Sequence, residues 1–401
     1  YLPMFGWKPY VLTAKSKARS NQNVPVYETP SEDINTKWKR KLGFKANESL
    51  KEEFNITSHK NKSDYVDLMI RLWGEVLAYP DNVADWKKSA IDLGEELINR
   101  ERFDAIISTS GPATTNLVAK DLRDNYNIPW IADFRDLWTQ NHYYRYSRIR
   151  KFFERSLEIR TLSCADALTT VSVPLAEKLK QLHKQRIIAV IPNGFDPAQK
   201  VHEMQLAKKF TITYTGALYR GRRDPEPLFQ AISDLLSNGE INPIDLSVDF
   251  FGPMEEWLAN DVRKYNLNKI VNIYNVISRK ESIEMQRRSH MLLLLTWDHP
   301  EETGVYTGKI FDYLAAGRPI LSIGVSGGVI EDLLRITGAG YHISRQEDLK
   351  RIILNSYHEY KSINDVKYYG INSEIDKFSH IEMARKFSVV LNEIIDNRIK
   401  Y

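Results

Sequence analysis

The sequence predicts an α/β protein of two domains, each built on a parallel sheet that is covered by helices on both faces. The chain has 401 residues, 42% of them hydrophobic, which suits two cores of ordinary size better than one. Apolar runs of strand length alternate with helical patterns along most of the chain. This alternation is interrupted by the turn residues Pro192-Asn193-Gly194 and then resumes, which indicates a domain junction.

The first predicted domain covers residues 1–196, and a last helix within residues 380–401 packs back on it. It opens with a helix end at residues 1–5, stopped by Gly6, and a strand at 7–13. Residues 14–85 are polar and irregular, and we interpret them as an insertion with one or two helices, for example at 65–77. The remaining elements alternate in order: helix 86–99, strand 105–109, helix 114–126, strand 130–132, helix 148–165, strand 167–171, helix 174–182 and strand 187–191.

The second predicted domain covers residues 205–379 and repeats the alternation. Its predicted helices include 226–238, 280–288 and 310–316, and an amphipathic helix at 381–395 closes the chain. We expect the two domains to face each other across a cleft. Ligands of open parallel sheets bind beyond the carboxyl ends of the strands, so the loops that follow strands should carry the chemistry. The predicted strands are 211–215, 246–251, 270–273, 291–296, 319–323 and 340–343.

Composition excludes several classes of protein. The longest apolar run, residues 291–295, is too short to cross a membrane, and no signal peptide opens the chain, which does not begin with Met. A single cysteine, Cys164, excludes a disulfide framework and indicates a reducing compartment. A net charge of +4 does not indicate nucleic acid. We expect a cytoplasmic protein with no nucleic-acid partner, no metal site and no tightly bound cofactor.

A short helix near residue 307 carries the strongest indication of a binding site. Thr307 is placed to cap this helix, and backbone N–H groups near Gly308 suit an anion. Lys309 stands in the same first turn, where a cation opposes the helix dipole unless a diphosphate compensates it. Asp312 lies on the same face and can accept hydrogen bonds from both hydroxyls of a ribose. The alternative is a plain surface helix with an incidental lysine and aspartate.

A second basic segment follows the strand at 211–215. Gly216 ends the strand, and Arg220, Arg222 and Arg223 precede the helix start at Asp224-Pro225. Arginine suits bidentate contact with phosphate oxygens. We favour Arg223 for this contact, with Arg222 next, over the alternative of a solvated basic turn.

Residues 309–319 resemble the donor-binding helix of retaining GT-B glycosyltransferases of family four, the group 1 type. The family pattern reads roughly Lys-x-x-Glu-Tyr-Leu-Ala-x-Gly-x-Pro, and Asp312 stands where the family has Glu. The resemblance implies two Rossmann-like domains, a nucleoside-diphosphate-sugar donor, a saccharide or lipid-linked acceptor, retention of configuration and no essential metal. It also implies that Arg223 reaches the donor diphosphate. The family's second Glu, which touches the donor sugar, is replaced by Gly304, and Glu301 or Glu302 can substitute for it.

Further segments of the chain resemble the same family. Asp133-Phe134-Arg135-Asp136 resembles an Asp-x-Arg-Asp-x-Trp segment, which implies that Arg135 and Asp136 face the sugar and that Asp133 lies on the acceptor side. The alternative is a self-satisfied Arg–Asp pair that shapes the loop. The Pro-Asn-Gly turn at residues 192–194 resembles the family's crossover segment and is assigned a hinge role. The family normally begins with a strand and a glycine-rich loop, and this chain starts after that point.

Three weaker signals complete the candidate site. Ser110 and Gly111 follow a strand and either approach an acceptor or form a helix cap without a ligand, which is the simpler interpretation. The turn around Gly327 is placed to lend backbone N–H groups to phosphate. A basic run either meets the inner face of a membrane peripherally or forms an ordinary solvated face; it comprises Arg145, Arg148, Arg150 and Lys151.

Glycosyl transfer is the function that these observations favour, in cell-surface polysaccharide or glycan synthesis. Two alternatives stay open: a sugar-nucleotide epimerase on the same fold, and a noncatalytic subunit that binds a nucleotide sugar. A nicotinamide oxidoreductase is disfavoured because no Gly-x-Gly-x-x-Gly follows a strand.

Overall fold

The computed structural model describes residues 1–15, 24–31, 75, 78–144, 146–200, 204–297 and 299–399. The chain divides into an amino-terminal unit of Tyr1–Ile191 with Arg385–Tyr401, and a carboxy-terminal unit of Pro192–Ala384. Both units combine parallel sheets with helices, which confirms the predicted α/β class. Apart from Glu75, the helix predicted at residues 65–77 lies outside the described residues, as does Arg145.

The amino-terminal unit contains two parallel sheets, of order β3-β4-β5-β6 and β1-β2. The strands are β1 (Val11–Ala14), β2 (Val26–Thr29), β3 (Ile106–Ser110), β4 (Trp130–Phe134), β5 (Ala167–Thr170) and β6 (Ile187–Val190). The helices are α1 (Trp86–Arg100), α2 (Thr114–Tyr126), α3 (Arg148–Leu162) and α4 (Val173–Leu182). A 3₁₀ turn over Leu2–Phe5 precedes β1 and ends at Gly6, whose φ of 82° is left-handed.

Strand β2 corrects the prediction that residues 14–85 are an irregular insertion. It pairs in parallel with β1, with Val11 opposite Val26 and Ala14 opposite Thr29. Its four residues are β-branched, aromatic or charged, and they are flanked by polar sequence. So short a strand has too few residues for its alternation to stand out, and pairing with β1 decides its conformation.

The carboxy-terminal unit contains one six-stranded parallel sheet of order β12-β11-β10-β7-β8-β9. Its strands are β7 (Phe210–Thr215), β8 (Leu246–Phe251), β9 (Val271–Tyr274), β10 (Met291–Leu295), β11 (Ile320–Ile323) and β12 (Gly340–Ile343). Its helices are α5 (Glu226–Ser237), α6 (Glu256–Lys264), α7 (Arg279–Arg288), α8 (Lys309–Ala316), α9 (Val329–Thr337), α10 (Gln346–Ile363) and α11 (Asn372–Ile375), followed by α12 (His380–Ile399).

The strand order places a topological switch point between β7 and β10. From β7 the chain moves outward through β8 and β9, then returns to the other side of β7, where Met291 of β10 pairs with Ile212. All five residues of β10 are apolar and buried because helices cover both faces of the sheet. The loops after β7 and β10 diverge at this point and leave the crevice in which such sheets bind ligands.

The predicted hinge segment pairs with the residues that precede α12. Phe195 N donates to Phe378 O over 3.0 Å, and His380 N donates to Phe195 O over 2.8 Å. A Cβ at Gly194 would lie 2.6 Å from Phe378 O, so only glycine permits this approach. Helix α12 then continues from the carboxy-terminal unit into residues assigned to the amino-terminal unit. The hinge role itself stays a prediction.

Candidate functional site

Helix α8 is fixed against the carboxyl end of β7 by Tyr313. This side chain is fully buried, and its hydroxyl accepts a hydrogen bond from the backbone N–H of Thr215 over 3.3 Å. Leu314 and Ala315 are buried in the core between α8 and the sheet. Lys309 lies four residues before Tyr313 and therefore on the same side of the helix. The packing of α8 thus brings Lys309 to the switch point.

The ammonium of Lys309 lies half-buried beside the end of β7. Its Nζ donates to the Tyr214 hydroxyl over 3.2 Å and sits 4.9 Å from the centre of that ring. Burial, reinforced by the nearby positive charge of Arg223, lowers the Lys309 pKa from 10.5 to about 8. No carboxylate of the described residues pairs with this ammonium, so its positive charge is not compensated within the described part of the chain.

Gly216 makes room for the lysine. A Cβ at this position would lie 2.5 Å from Lys309 Cε and 2.9 Å from its Nζ. The φ of Gly216 is +114°, which other residues rarely adopt. Glycine at this position therefore has two effects. It permits the turn at positive φ at the end of β7, and it lets the lysine approach the backbone closely.

Arg223 comes from the loop that follows β7 and lies on the same side as Lys309. It pairs with Tyr219 in a tight hairpin and its guanidinium lies 5.4 Å from the Tyr219 ring centre. Its charge adds to the effect of burial in lowering the pKa of Lys309, and it opposes the burial that raises the pKa of Tyr214. Arg222 is exposed and lies 4.5 Å over the ring of Trp297, which follows β10. The loops after β7 and β10 therefore meet at the switch point, where Arg222, Arg223 and Lys309 supply positive charge.

Asp224 acts as a cap, one residue away from the predicted register. Helix α5 begins at Glu226, and Pro225, not Asp224, occupies the N-cap position. The Asp224 carboxylate still accepts from Glu226 N over 3.0 Å and from Gly221 N over 3.4 Å. It therefore closes the arginine loop as well as the helix end.

The structure gives Asp312 a partner that the sequence did not indicate. Its Oδ1 accepts from Nη2 of Arg279, at the start of α7, over 2.9 Å. Burial raises the pKa of Asp312, and the Arg279 charge opposes this shift. The other carboxylate oxygen keeps its capacity to accept from a hydroxyl, so the ribose contact stays a prediction.

Thr307 does not cap helix α8, which corrects the prediction. The helix begins at Lys309 with Gly308 at the N-cap and without a side-chain cap hydrogen bond. Thr307 Oγ1 is instead buried without a hydrogen-bond partner among the described residues. The reason is that residues 300–304 form a 3₁₀ turn that carries the chain into α8 and leaves Gly308, not Thr307, at the junction.

Glu302 and Thr307 line one small pocket near the carboxyl ends of β10 and β11. Gly328, Trp297 and His342 line the same pocket. The exposed Gly327 next to it does not offer a free backbone N–H, since this group donates to Glu331 Oε2 over 2.6 Å. Helix α9 therefore uses its own carboxylate where a phosphate was expected.

In the amino-terminal unit, the segment after β4 holds an arginine that is already paired. Arg135 Nε donates to Asp133 Oδ2 over 2.7 Å, and Arg135 Nη1 donates to Ile191 O over 3.1 Å. Asp133 is buried and its other oxygen accepts from Thr169 over 2.6 Å. Burial raises the pKa of Asp133, opposed by the Arg135 charge. Asp133 thus positions Arg135, while Asp136 is exposed.

Ser110 does not cap helix α2, contrary to the expected alternative. The N-cap residue is Ala113, and Asp81 supplies the hydrogen bonds instead, accepting from Thr114 N over 2.7 Å and from Thr114 Oγ1 over 2.8 Å. Ser110 is buried, and Gly111 is exposed with a φ of +93°. Their approach to an acceptor stays a prediction.

Sequence reasoning missed four side chains that shape the site. Tyr214 lies in β7 and Tyr313 in α8. In the sequence, both look like ordinary core tyrosines with no functional role. Arg279 and Trp297 act through partners 33 and 75 positions away, with Arg279 on Asp312 and Trp297 under Arg222. The alternation of apolar residues carries no signal for any of these pairs. The position of Trp297 directly after β10, at a strand's carboxyl end, was the one available indication.

Comparison with known proteins supports a glycosyltransferase. Residues 79–199 match the model of Glycosyltransferase Family 4. Sucrose-phosphate synthase from Thermosynechococcus elongatus is 13% identical, with 78% of this chain and 79% of that chain covered and a TM-score of 0.56. No curated protein sequence matches the chain.

Two further solved structures share the fold. Alr3699/HepE of Anabaena, solved in complex with UDP, is 13% identical over 76% of this chain and 82% of that chain, with a TM-score of 0.57. The lipopolysaccharide outer core galactosyltransferase WaaB, in its apo form, is 13% identical over 78% and 80%, with a TM-score of 0.50. These likenesses support the predicted GT-B fold with two Rossmann-like units.

None of the described helices is long and apolar enough to span a bilayer. No cluster of three or more His, Cys, Asp or Glu side chains in the described part of the chain is arranged to hold a metal ion.

Proposed function

We propose that this chain is a glycosyltransferase that moves a sugar from a nucleoside diphosphate sugar to a saccharide or lipid-linked acceptor. We place it in cell-surface polysaccharide or glycan synthesis. The observation that carries the proposal is the pair Lys309 and Arg223 at the switch point of the carboxy-terminal sheet. Two neighbouring cations that have no carboxylate partner in the described part of the chain, one of them half-buried, form a site for a multiply charged anion.

A pyrophosphate group fits this pair better than a single carboxylate does. It carries enough negative charge to compensate both cations, and arginine and lysine are the side chains that bind phosphate oxygens most often. Gly216 lets the lysine approach the backbone closely and leaves no Cβ between the loop and a ligand. The exposed Arg222, held over Trp297, adds a third positive charge near the same loop.

The chemistry follows from where charge develops. When the bond between the anomeric carbon and the phosphate oxygen breaks, negative charge grows on the departing nucleoside diphosphate. Lys309 and Arg223 then bind the leaving group more strongly than the intact donor, which lowers the barrier. The acceptor hydroxyl forms the new bond to the anomeric carbon, and its proton passes to an oxygen of the departing diphosphate. We propose that the two cations perform this role without an essential metal ion or a tightly bound cofactor.

Three further assignments belong to the proposal. Asp312 binds the ribose through its Oδ2, while Oδ1 stays on Arg279. Arg135 and Asp136 contact the sugar or the acceptor, with Ser110, Gly111 and Asp133 on the acceptor side. Retention of anomeric configuration rests on the resemblance of residues 309–319 to the donor helix of retaining enzymes.

The test begins with ligand binding. Uridine, guanosine and adenosine diphosphates are compared by thermal shift with inorganic pyrophosphate and with the nucleosides. A ligand at one hundred times its dissociation constant adds about 2.7 kcal/mol to the free energy of unfolding. We expect one diphosphate to raise the melting temperature and its nucleoside to have little effect. Absence of a shift with all three diphosphates would contradict the proposal.

The reaction is then tested with the sugar conjugates of the diphosphate that binds. Transfer to an acceptor hydroxyl, with the anomer read by NMR, supports the transferase and its stereochemistry. Release of nucleotide with an altered free sugar and no acceptor product would establish the epimerase alternative. Tight binding without turnover on any acceptor would favour a noncatalytic subunit.

A further inference from the structure

Helix α3 buries three of its charged residues and exposes several of its large apolar ones. Arg150, Glu154 and Glu158 are buried, whereas Ile149, Phe152 and Phe153 are 71%, 72% and 57% exposed. A surface helix of a globular protein normally has the opposite distribution. The exposed residues lie at positions i, i+3 and i+4, so they form one continuous face of the helix.

The buried charged groups bond to the surrounding fold, and of their polar atoms only Glu158 Oε1 lacks a hydrogen-bond partner among the described residues, so these contacts fix the orientation of the helix. Arg150 donates to Glu154 over 2.5 Å and to the carbonyl oxygens of Ala78 and Pro80 over 2.7 and 2.9 Å. Glu158 accepts from the backbone N–H of Thr139 over 3.1 Å. Rotating the helix to bury the phenylalanines would leave these buried charges without partners, which costs more than the apolar exposure.

The outward face carries only positive charge. Arg148, Arg155 and Arg160 are exposed, and both acidic residues of the helix, Glu154 and Glu158, point inward. This face combines exposed phenylalanine and isoleucine with arginine. It is complementary to a surface that has negatively charged groups at the outside and an apolar layer beneath them. Of the basic run that the sequence suggested, Arg148 belongs to this face, whereas Arg150 is buried and Lys151 is half-buried.

We propose that the exposed face of α3 docks on an anionic lipid bilayer, with Phe152, Phe153 and Ile149 in the acyl region and the arginines among the phosphates. The helix has 15 residues and is about 22 Å long, so it lies in the interface and does not span it. A second copy of the chain fits less well, since a two-fold contact would bring two sets of three arginines together. The inference does not depend on the proposed transferase activity.

Vesicle co-sedimentation of the full chain tests the proposal. We expect binding to vesicles of phosphatidylcholine mixed with phosphatidylglycerol, weak binding to phosphatidylcholine alone, and loss of binding at high salt. The double substitution Phe152→Ser and Phe153→Ser should weaken binding by about tenfold or more, since each buried apolar side chain contributes to insertion. The substitutions Arg148→Glu and Arg155→Glu should weaken it by a similar factor through charge.

The matched control is Ile244→Ser, at an apolar residue of the other unit that is 72% exposed. It should leave vesicle binding unchanged, and circular dichroism should show all variants folded, because the changed side chains are at the surface. Equal binding of the control and the double phenylalanine variant would overturn the proposal, as would no binding of the unmodified chain to either vesicle. A phenylalanine variant that converts a dimer to a monomer without a lipid effect would assign the face to a second copy.

Discussion

Each unit places an arginine in the segment that follows a parallel strand, and the two arginines have opposite electrostatic surroundings. In the amino-terminal unit, Arg135 is bound to the buried carboxylate of Asp133. In the carboxy-terminal unit, Arg223 neighbours another cation, Lys309, and lowers its pKa. In the first arrangement a carboxylate compensates the charge of the arginine. In the second arrangement the positive charges are left to bind a negatively charged ligand. An arginine in the segment after a strand is therefore not enough to identify an anion site, because the charge of its neighbouring side chain determines whether it can bind an anion.

The largest difference between the two regions should appear in catalysis. Lys309→Ala should reduce turnover by about a hundredfold to a thousandfold, because a preorganised charge on the leaving group is lost. Steady-state kinetics with the donor that binds would measure this effect. Lys269→Ala, an exposed lysine at the amino end of β9, is the control and should keep full activity. Unchanged turnover in Lys309→Ala would remove the lysine from the mechanism.

Removing the compensating carboxylate should instead damage the fold. Asp133→Ala leaves Arg135 without its carboxylate and Thr169 without its acceptor, so we expect the free energy of unfolding to fall by about 3 kcal/mol. Chemical denaturation measures this change. Affinity for the nucleoside diphosphate should stay the same below the unfolding transition. A stable Asp133→Ala protein would show that the pair contributes little to folding.

Two glycine substitutions separate the effect of backbone strain at positive φ from the effect of a Cβ that crowds Lys309. Gly216→Ala adds a Cβ 2.5 Å from Lys309 Cε at a φ of +114°, whereas Gly221→Ala meets open space at a φ of +69°. Both variants should lose about 1 kcal/mol of stability through strain. Only Gly216→Ala should also weaken diphosphate binding, since it displaces the lysine. Equal binding by the two variants would contradict the described position of Lys309.

Neutralising the uncompensated lysine should stabilise the ligand-free protein. The pKa of Lys309 is lowered from 10.5 to about 8, so the folded state holds the charged form at a cost below about pH 8. Lys309→Met should therefore raise the free energy of unfolding at pH 7 by about 1–3 kcal/mol. The gain should shrink as the pH rises from about 8 towards 10.5, where the wild-type lysine loses its proton. A destabilised Lys309→Met protein would indicate an anionic partner within the chain.

Much of the architecture could be predicted because it depends on local periodicity. Helix α2 has the predicted bounds, Thr114–Tyr126, and β8 and β12 do as well. What could not be predicted depends on distant partners. Asp81 caps α2 across 33 positions, and Arg279 pairs with Asp312 across the same separation. No local pattern encodes such pairs, because packing of the whole unit creates them.

The candidate site was predicted in part for the same reason. Lys309 and Arg223 stand out because a cation in a first helical turn and an arginine cluster after a strand are local anomalies. Thr307 and Ser110 have the residue type and position of helix N-caps in the sequence. Neither is an N-cap in the structure, because the path of the preceding turn places another residue at the start of the helix. The paired state of Arg135 was one of two readings, and its buried partner decides between them.

The most direct measurement is the pKa of the Lys309 ammonium, followed by NMR with isotope-labelled lysine and assigned through Lys309→Arg. Without ligand we expect a value of about 8. With saturating nucleoside diphosphate it should move upward toward the ordinary lysine range, because the diphosphate supplies the missing negative charge. Affinity for the diphosphate should correspondingly fall as the pH rises above about 8. A Lys309 pKa that does not change on saturation would contradict the account.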